Sequence, residues 1–247
     1  MSSSQVAPPA SPVRIVVARA TEASNRDGFG VAAISEVDLV DSGGLDLPGP
    51  PDADLRRAVR MHPDLPERRA AQALADGSVD AVWSLGDPVL AAAALSFTLG
   101  PQRGVTAPTL AAVFTRPGLS RLVVAPSSAA VLAAALVECL DGPTGVAHLT
   151  GSAVSGAFTT AMDDPQMGLA LGADEFIAGL LTGWQAAGGT SPDYVVLGVP
   201  AVAVIGPSSS AIWLIRALLD NNLVGYATKA LAALVGARRH AAGLGAE

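Results

Sequence analysis

An open, largely parallel α/β sheet flanked by helices is the fold that this 247-residue sequence predicts, and three observations predict it. Apolar, β-branched runs alternate with Ala- and Leu-rich helical segments along most of the chain, the pattern of βαβ units. Residues 79–114 contain one such unit in full: an apolar strand, the turn Ser84-Leu85-Gly86-Asp87-Pro88, an Ala-rich helix, a Gly/Pro connection and a second apolar strand. Half of the residues are hydrophobic, only 15% are charged and just three are Trp, so Ala, Val and Leu must build the interior. Such small side chains let helices and strands stack closely.

Each element follows from local patterning. Residues 1–12, MSSSQVAPPASP, lack a basic region followed by an apolar core, so a disordered tail is expected there and not a secretory signal. Residues 13–247 are expected to form a single α/β domain. The β-branched run 13–18 is the first strand. The polar segment 19–27 cannot be core. Gly28, Gly30 and Ala33 match the outline G-x-G-x-x-A, but a dinucleotide fingerprint needs its first Gly directly after the strand, so no nucleotide site is expected. A strand at 37–40 and a Pro-rich loop lead to a short helix at 54–61, which His62-Pro63 ends because the residue before proline leaves the helical region. The next helix, 66–75, starts from Asp64 or Leu65, with Pro66 in its first turn and Gly77 as its stop.

Strand 81–85 delivers the turn at 84–88, where Asp87 is placed to cap helix 89–99 and Pro88 takes the first helical position. Val89, Ala93 and Phe97 share one stripe of that helix. A loop at 101–108, a returning strand at 109–115, a turn at 116–118 and a strand at 122–125 follow. Pro126-Ser127-Ser128 then opens helix 129–140, closed by Gly142 and carrying Cys139 in its apolar pattern. His148 lies in a buried strand, 146–149. Asp163-Asp164-Pro165 is expected to be a solvated turn, since no third ligand stands at metal spacing. After a helix at 173–187, the apolar runs 194–197 and 201–205 are split by Gly198-Val199-Pro200, the spacing of a hairpin or kinked strand pair. Gly206-Pro207-Ser208-Ser209-Ser210 opens helix 211–221, and a last helix at 226–240 carries Lys229, Arg238, Arg239 and His240 in its C-terminal half.

Composition excludes several functions. A net charge of −7, with Lys229 the single lysine, repels a phosphate backbone, so nucleic acid is not an expected partner. Mean hydropathy is +0.43. Even so, the longest apolar stretch, 122–140, is broken by Pro126, Ser127, Ser128 and Glu138, so no transmembrane segment is expected and the expected location is the cytoplasm. Cys139, the single cysteine, cannot form an internal disulfide and reads as a small core residue. The chain contains no G-x-x-x-x-G-K-[ST], G-x-S-x-G, H-E-x-x-H or cysteine cluster. P-loop, hydrolase-elbow and zinc chemistry therefore lack support, and neither metal nor cofactor is expected.

In an open α/β sheet, ligands bind at the carboxyl ends of strands. Three strand-to-helix turns here, 84–88, 126–128 and 206–210, are rich in small or hydroxyl residues. Converging on one edge, their backbone N–H groups and hydroxyls would hold a phosphate. Ser84, Gly86, Asp87, Gly206, Ser208 and Ser209 are the candidate substrate-binding residues. Ordinary capping accounts for each turn taken singly.

Residues 60–114 also resemble the bacterial phosphate acyltransferase family, the PlsX enzymes of phospholipid synthesis. That family runs through a helix ending in Gly, a strand of the type D-A-x-V-S-A-G-N-T-G-A, an Ala/Leu helix, a G-I-x-R-P-A-L-A connection and a strand. Here the same order reads Gly77, DAVWSLGDPVLAAAAL, GVTAPTLAAVF. Residues 197–217, LGVPAVAVIGPSSSAIWLIRA, are similar to the family's L-L-G-x-x-G-x-x-I-x-A-H-G-S-S-x-A-x-A-I-x-x-A. The resemblance spans about a third of the chain. It implies an isocitrate/isopropylmalate dehydrogenase-like fold, a homodimer, and transfer of an acyl group from acyl-carrier protein, or another acyl thioester, to inorganic phosphate.

Several positions depart from the family pattern. D-A-M-G-G-D becomes Ala18-Arg19-Ala20-Thr21-Glu22-Ala23, and A-G-N-T-G-A becomes Leu85-Gly86-Asp87-Pro88-Val89-Leu90. The Arg of R-P-A becomes Ala107, and A-H-G-S-S becomes Ile205-Gly206-Pro207-Ser208-Ser209. C-D-G-F-T-G-N has no counterpart. A carboxylate about 4 Å from a phosphate charge costs on the order of 4 kcal/mol at an effective dielectric of 20, so these changes imply a neutral or repelling pocket. Two alternatives therefore stand beside the acyltransferase: a non-catalytic relative that binds acyl chains or a partner protein, and a phosphotransacetylase-like enzyme.

Overall fold

The structure is a computed structural model that describes residues 12–19, 37–41, 55–115, 121–140, 144–149, 192–206 and 210–221. Its strands are β1 (Val13–Ala18), β2 (Val37–Asp41), β3 (Ala81–Ser84), β4 (Thr109–Thr115), β5 (Arg121–Pro126), β6 (Thr144–Leu149), β7 (Asp193–Leu197) and β8 (Val202–Ile205). The helices are α1 (Leu55–Met61), α2 (Pro66–Ala75), α3 (Pro88–Leu99), α4 (Ala130–Glu138) and α5 (Ser210–Asp220). A single 3₁₀ turn, Ser127–Ala129, leads into α4. The tail at 1–11, the Gly28–Gly30–Ala33 outline, the turn at 116–118, Gly142, Asp163-Asp164, the helices expected at 173–187 and 226–240, and Ser208 and Ser209 lie outside the described residues.

Helix boundaries follow the local chemistry. Pro66 stands at the start of α2 after Leu65, which makes no side-chain cap. Gly77 (φ 75°) and Gly100 (φ 73°) end α2 and α3 in the left-handed region that other residues avoid.

The eight described strands form one sheet of order β2-β1-β3-β8-β7-β4-β5-β6. β2, β1, β3 and β8 run parallel, as do β5 and β6, whereas β7 is antiparallel to β8 and β4, and β4 to β5. The parallel half accords with expectation, and the expected pairing of 194–197 with 201–205 is the antiparallel β7–β8 ladder, Tyr194 opposite Ile205. One expectation needs correction. β3 and β4 keep the common direction of a βαβ unit, since β8 and β4 are both antiparallel to β7, but β8 and β7 stand between them. The β7–β8 hairpin, which follows β4, β5, α4 and β6 in the chain, inserts into the crossover, and local patterning carries no signal of that.

Strand alternation divides the core into two layers. Ile15, Val17, Trp83, Val195 and Val204 face α4 and α5; Val16, Val82, Val196 and Ala203 face α2 and α3. The buried face of α3 is Leu90, Ala91, Ala94 and Leu95, not the stripe through Val89, Ala93 and Phe97. Phe97 is 48% exposed, with the Arg68 guanidinium 4.6 Å from its ring centroid. A helix apolar on almost every side gives its sequence no direction, and packing against α1 and α2 chooses the face. Cys139 is buried, as expected, and its carbonyl accepts from Asn221 Nδ2 at 2.6 Å, tying α4 to the end of α5. No described helix is long and apolar enough to cross a membrane.

Candidate functional site

Two of the three predicted turns meet and the third does not. Ser84 ends β3 in register with Ala18 of β1 and Ile205 of β8. The Gly206 N–H donates to the Ser84 carbonyl at 2.9 Å, and the Leu85 N–H donates to the Ala18 carbonyl at 3.0 Å. The turn at 126–128 lies at the opposite sheet edge, because β5 runs antiparallel to β4 and so ends where β4 begins. There it lines a separate cavity of about 210 Å³ with Val105, Thr106, Ala107 and Pro108.

On the α2/α3 side of the edge, Ser84 is fully buried and its Oγ accepts from the Gly86 N–H at 3.3 Å. Asp87 is the N-cap of α3: its Oδ1 accepts from the Leu90 N–H at 2.8 Å and Pro88 follows it. Gly86 is required by close approach. A Cβ there would lie 2.6 Å from both Arg19 Cδ and Glu67 Oε1, which belong to an ion pair between Arg19 Nε and Glu67 Oε1. Glu67 is 1% exposed and its Oε2 has no hydrogen-bond partner among the described residues. Arg19, expected in a segment excluded from the core, thus reaches inward: its backbone takes φ 60° directly after β1 and its side chain covers the Gly86 turn. Tyr194 is held above the usual phenol range by burial and, secondarily, by the Asp87 charge.

On the α5 side stands Asp193, the first residue of β7, 1% exposed. Its Oδ2 accepts from Ser210 Oγ at 2.6 Å, and Oδ1 is buried without a hydrogen-bond partner among the described residues. Burial pushes its carboxyl up to about 7, against the lowering effect of the Ser210 hydroxyl. The carboxyl presses on β8: a Cβ at Gly206 would lie 2.2 Å from Asp193 Oδ1. Gly206 is therefore glycine for lack of room, and its carbonyl accepts from the Trp83 indole Nε1 at 3.0 Å. Arg121, also at this edge, is 2% exposed and lies 3.8 Å over the Trp213 ring of α5.

Of the candidate residues, Ser84, Gly86, Asp87 and Gly206 share one sheet edge. Sequence reasoning passed over Arg19, Glu67, Asp193 and Arg121. Each gave a partial signal, as a charge beside or within an apolar strand or helix, and none announced its partner. The edge combines crowded backbone groups with a carboxyl that titrates near neutrality and a hydroxyl donating to it, an arrangement able to exchange a proton at physiological pH. Among the described residues no cluster of three or more His, Cys, Asp or Glu could hold a metal ion.

No protein-family model and no curated protein matches the chain. Solved structures do. A phosphotransacetylase from Streptococcus pyogenes superposes with a TM-score of 0.51 at 12% identity, over 86% of this chain and 94% of its own. The EutD phosphotransacetylase from Staphylococcus aureus gives 0.44 at 12% identity over 90% and 94%, and a branched-chain phosphotransacylase from Enterococcus faecalis gives 0.46 at 9% over 85% and 98%. The first of these likenesses shows that the chain shares the fold of the Streptococcus pyogenes enzyme.

Proposed function

We propose that the chain is a phosphate acyltransferase-like protein, which moves an acyl group from a thioester to inorganic phosphate at the edge formed by the 84–87 turn and Gly206. The observation that carries the proposal is the 2.9 Å bond from the Gly206 N–H to the Ser84 carbonyl, which joins the two turns singled out by the sequence resemblance. The shared phosphotransacetylase fold supports it. A phosphate oxygen attacks the thioester carbonyl carbon, the new C–O bond forms, the C–S bond breaks, and the departing thiolate takes up a proton. Ser84, Gly86, Gly206, Ser208 and Ser209 position phosphate, so rate comes from orientation and charge stabilisation without a covalent nucleophile. Acyl-carrier protein is the proposed donor and coenzyme A thioesters the alternative. A cytoplasmic homodimer, the dehydrogenase-like arrangement and a single domain over 13–247 complete the proposal.

A second reading, a non-catalytic relative that binds acyl chains or a partner, is favoured by one observation: Asp87 occupies the N-terminus of α3 and Glu67 pairs with Arg19, so the described charges beside the Gly86 turn are already engaged. Acyl phosphate formation decides. Product from acyl-carrier protein and phosphate supports the first donor, and product from acetyl-coenzyme A alone supports the phosphotransacetylase-like form. No product from either, with the chain folded, refutes an acyltransferase.

A further inference from the structure

We propose that Asp193 is a positioning residue for this edge: its carboxyl holds Gly206 and Ser210 together, and a phosphate-like anion binds there more tightly when that carboxyl is protonated. The inference rests on the phosphate-binding reading of the edge. Asp193 links the end of β8 to the start of α5, through the Ser210 hydroxyl on Oδ2 and through the close approach of Oδ1 to Gly206. Gly206 in turn bonds Ser84, so the carboxyl stands one residue behind the joint between the two turns. A negative charge at that place is desolvated, has a hydrogen bond on one oxygen alone, and repels an anion at the edge through low-dielectric protein.

Among the described residues no counter-charge relieves it. β4 presents Val113 opposite Asp193, β8 presents Gly206 and α5 presents Ser210. On α5, Arg216 pairs with Asp220 at 3.7 Å. Arg121 of β5 stands over Trp213, and Tyr194 and Asp87 belong to the other face of the sheet. Burial and the Ser210 hydroxyl are the influences on its ionisation, and together they place its titration near neutral pH. The proton is thus gained or lost in the range where phosphate transfer would operate.

The test is isothermal titration of the full chain with sulfate, whose charge is constant over the range in which phosphate itself titrates. Wild type is expected to bind sulfate about tenfold or more weakly at roughly pH 8.5 than at roughly pH 5.5, while Asp193→Asn binds with little change between the two. Ser210→Ala removes the hydroxyl that lowers the Asp193 pKa, so the midpoint of the affinity change moves to higher pH; a purely structural role would not move it. Equal pH dependence in wild type and Asp193→Asn, or an unmoved midpoint in Ser210→Ala, overturns the inference and leaves the anion site standing. Absence of sulfate binding at every pH in all three proteins overturns both the anion site and the inference.

Discussion

Replacing Asp193 by Asn isolates the energetic consequence of burying this carboxyl. The side chain keeps its shape and can still accept from Ser210, but it no longer ionises. In wild type the carboxyl is raised from 3.8 to about 7 by burial. The folded state therefore holds its proton over a window in which the unfolded chain has already released it. Unfolding stability consequently falls as pH rises from about 4 to about 7, by on the order of 4 kcal/mol in all, and is flat above that. The variant lacks this loss. Below pH 4 the buried amide is the poorer group, because its N–H₂ donors are no better satisfied than the lone Oδ1. Urea unfolding of both proteins across pH, with stability extrapolated to water at each point, gives the difference directly. The wild type should lose about 3 kcal/mol relative to Asp193→Asn between pH 5 and pH 8. Parallel curves would refute the argument, since they would mean that the folded state does not raise this pKa.

Two further perturbations test the crowding at the edge. Gly206→Ala places a Cβ 2.2 Å from Asp193 Oδ1 and 3.2 Å from its Cα, so it should destabilise by about 2–3 kcal/mol. A double-mutant cycle with Asp193→Ser should recover about 1 kcal/mol or more, and additivity would show that the two residues do not compete for space. Gly86→Val drives a branched side chain into the part-buried Arg19–Glu67 pair and should lower stability by about 2–4 kcal/mol and weaken sulfate binding. Asp87→Asn, whose side chain still caps α3, should change stability by less than about 1 kcal/mol, as chemical denaturation of both proteins would reveal.

What could be read from the sequence was local. Asp87 capping α3, Pro66 opening α2, Gly77 ending it and the β7–β8 pair all follow from short spacings, and all are present. The misses share a cause in distance or in uniformity. Arg19 and Glu67 are 48 residues apart and Gly206 meets Ser84 across the sheet, so their partnerships depend on strand order, which hydrophobic alternation does not encode. Which turns converge was hidden for the same reason: a strand reads alike in either direction, and the reversal between β4 and β5 sends Pro126 to the far edge. In α3, apolar residues surround the axis, so the buried stripe had no polar complement to mark it.

The charge of the edge shows how these residues act together. Departure from the family pattern, with Asp87 in place of Asn and Ala107 in place of Arg, predicted a neutral or repelling pocket. Among the described residues this sheet edge carries two arginines, Arg19 beside Gly86 and Arg121 over Trp213 at the start of β5, against the carboxylates of Glu67 and Asp87. These four charges balance. Asp193 is the fifth described group, and its ionisation adds one negative charge to that balance. An anion bound at this edge as proposed is therefore repelled less by Asp87, which is exposed and committed to the α3 cap, than by a buried carboxylate on the other face of the sheet. Water and salt screen the first charge and not the second, so raising ionic strength should weaken any effect of Asp87→Asn on sulfate affinity while leaving that of Asp193→Asn largely intact.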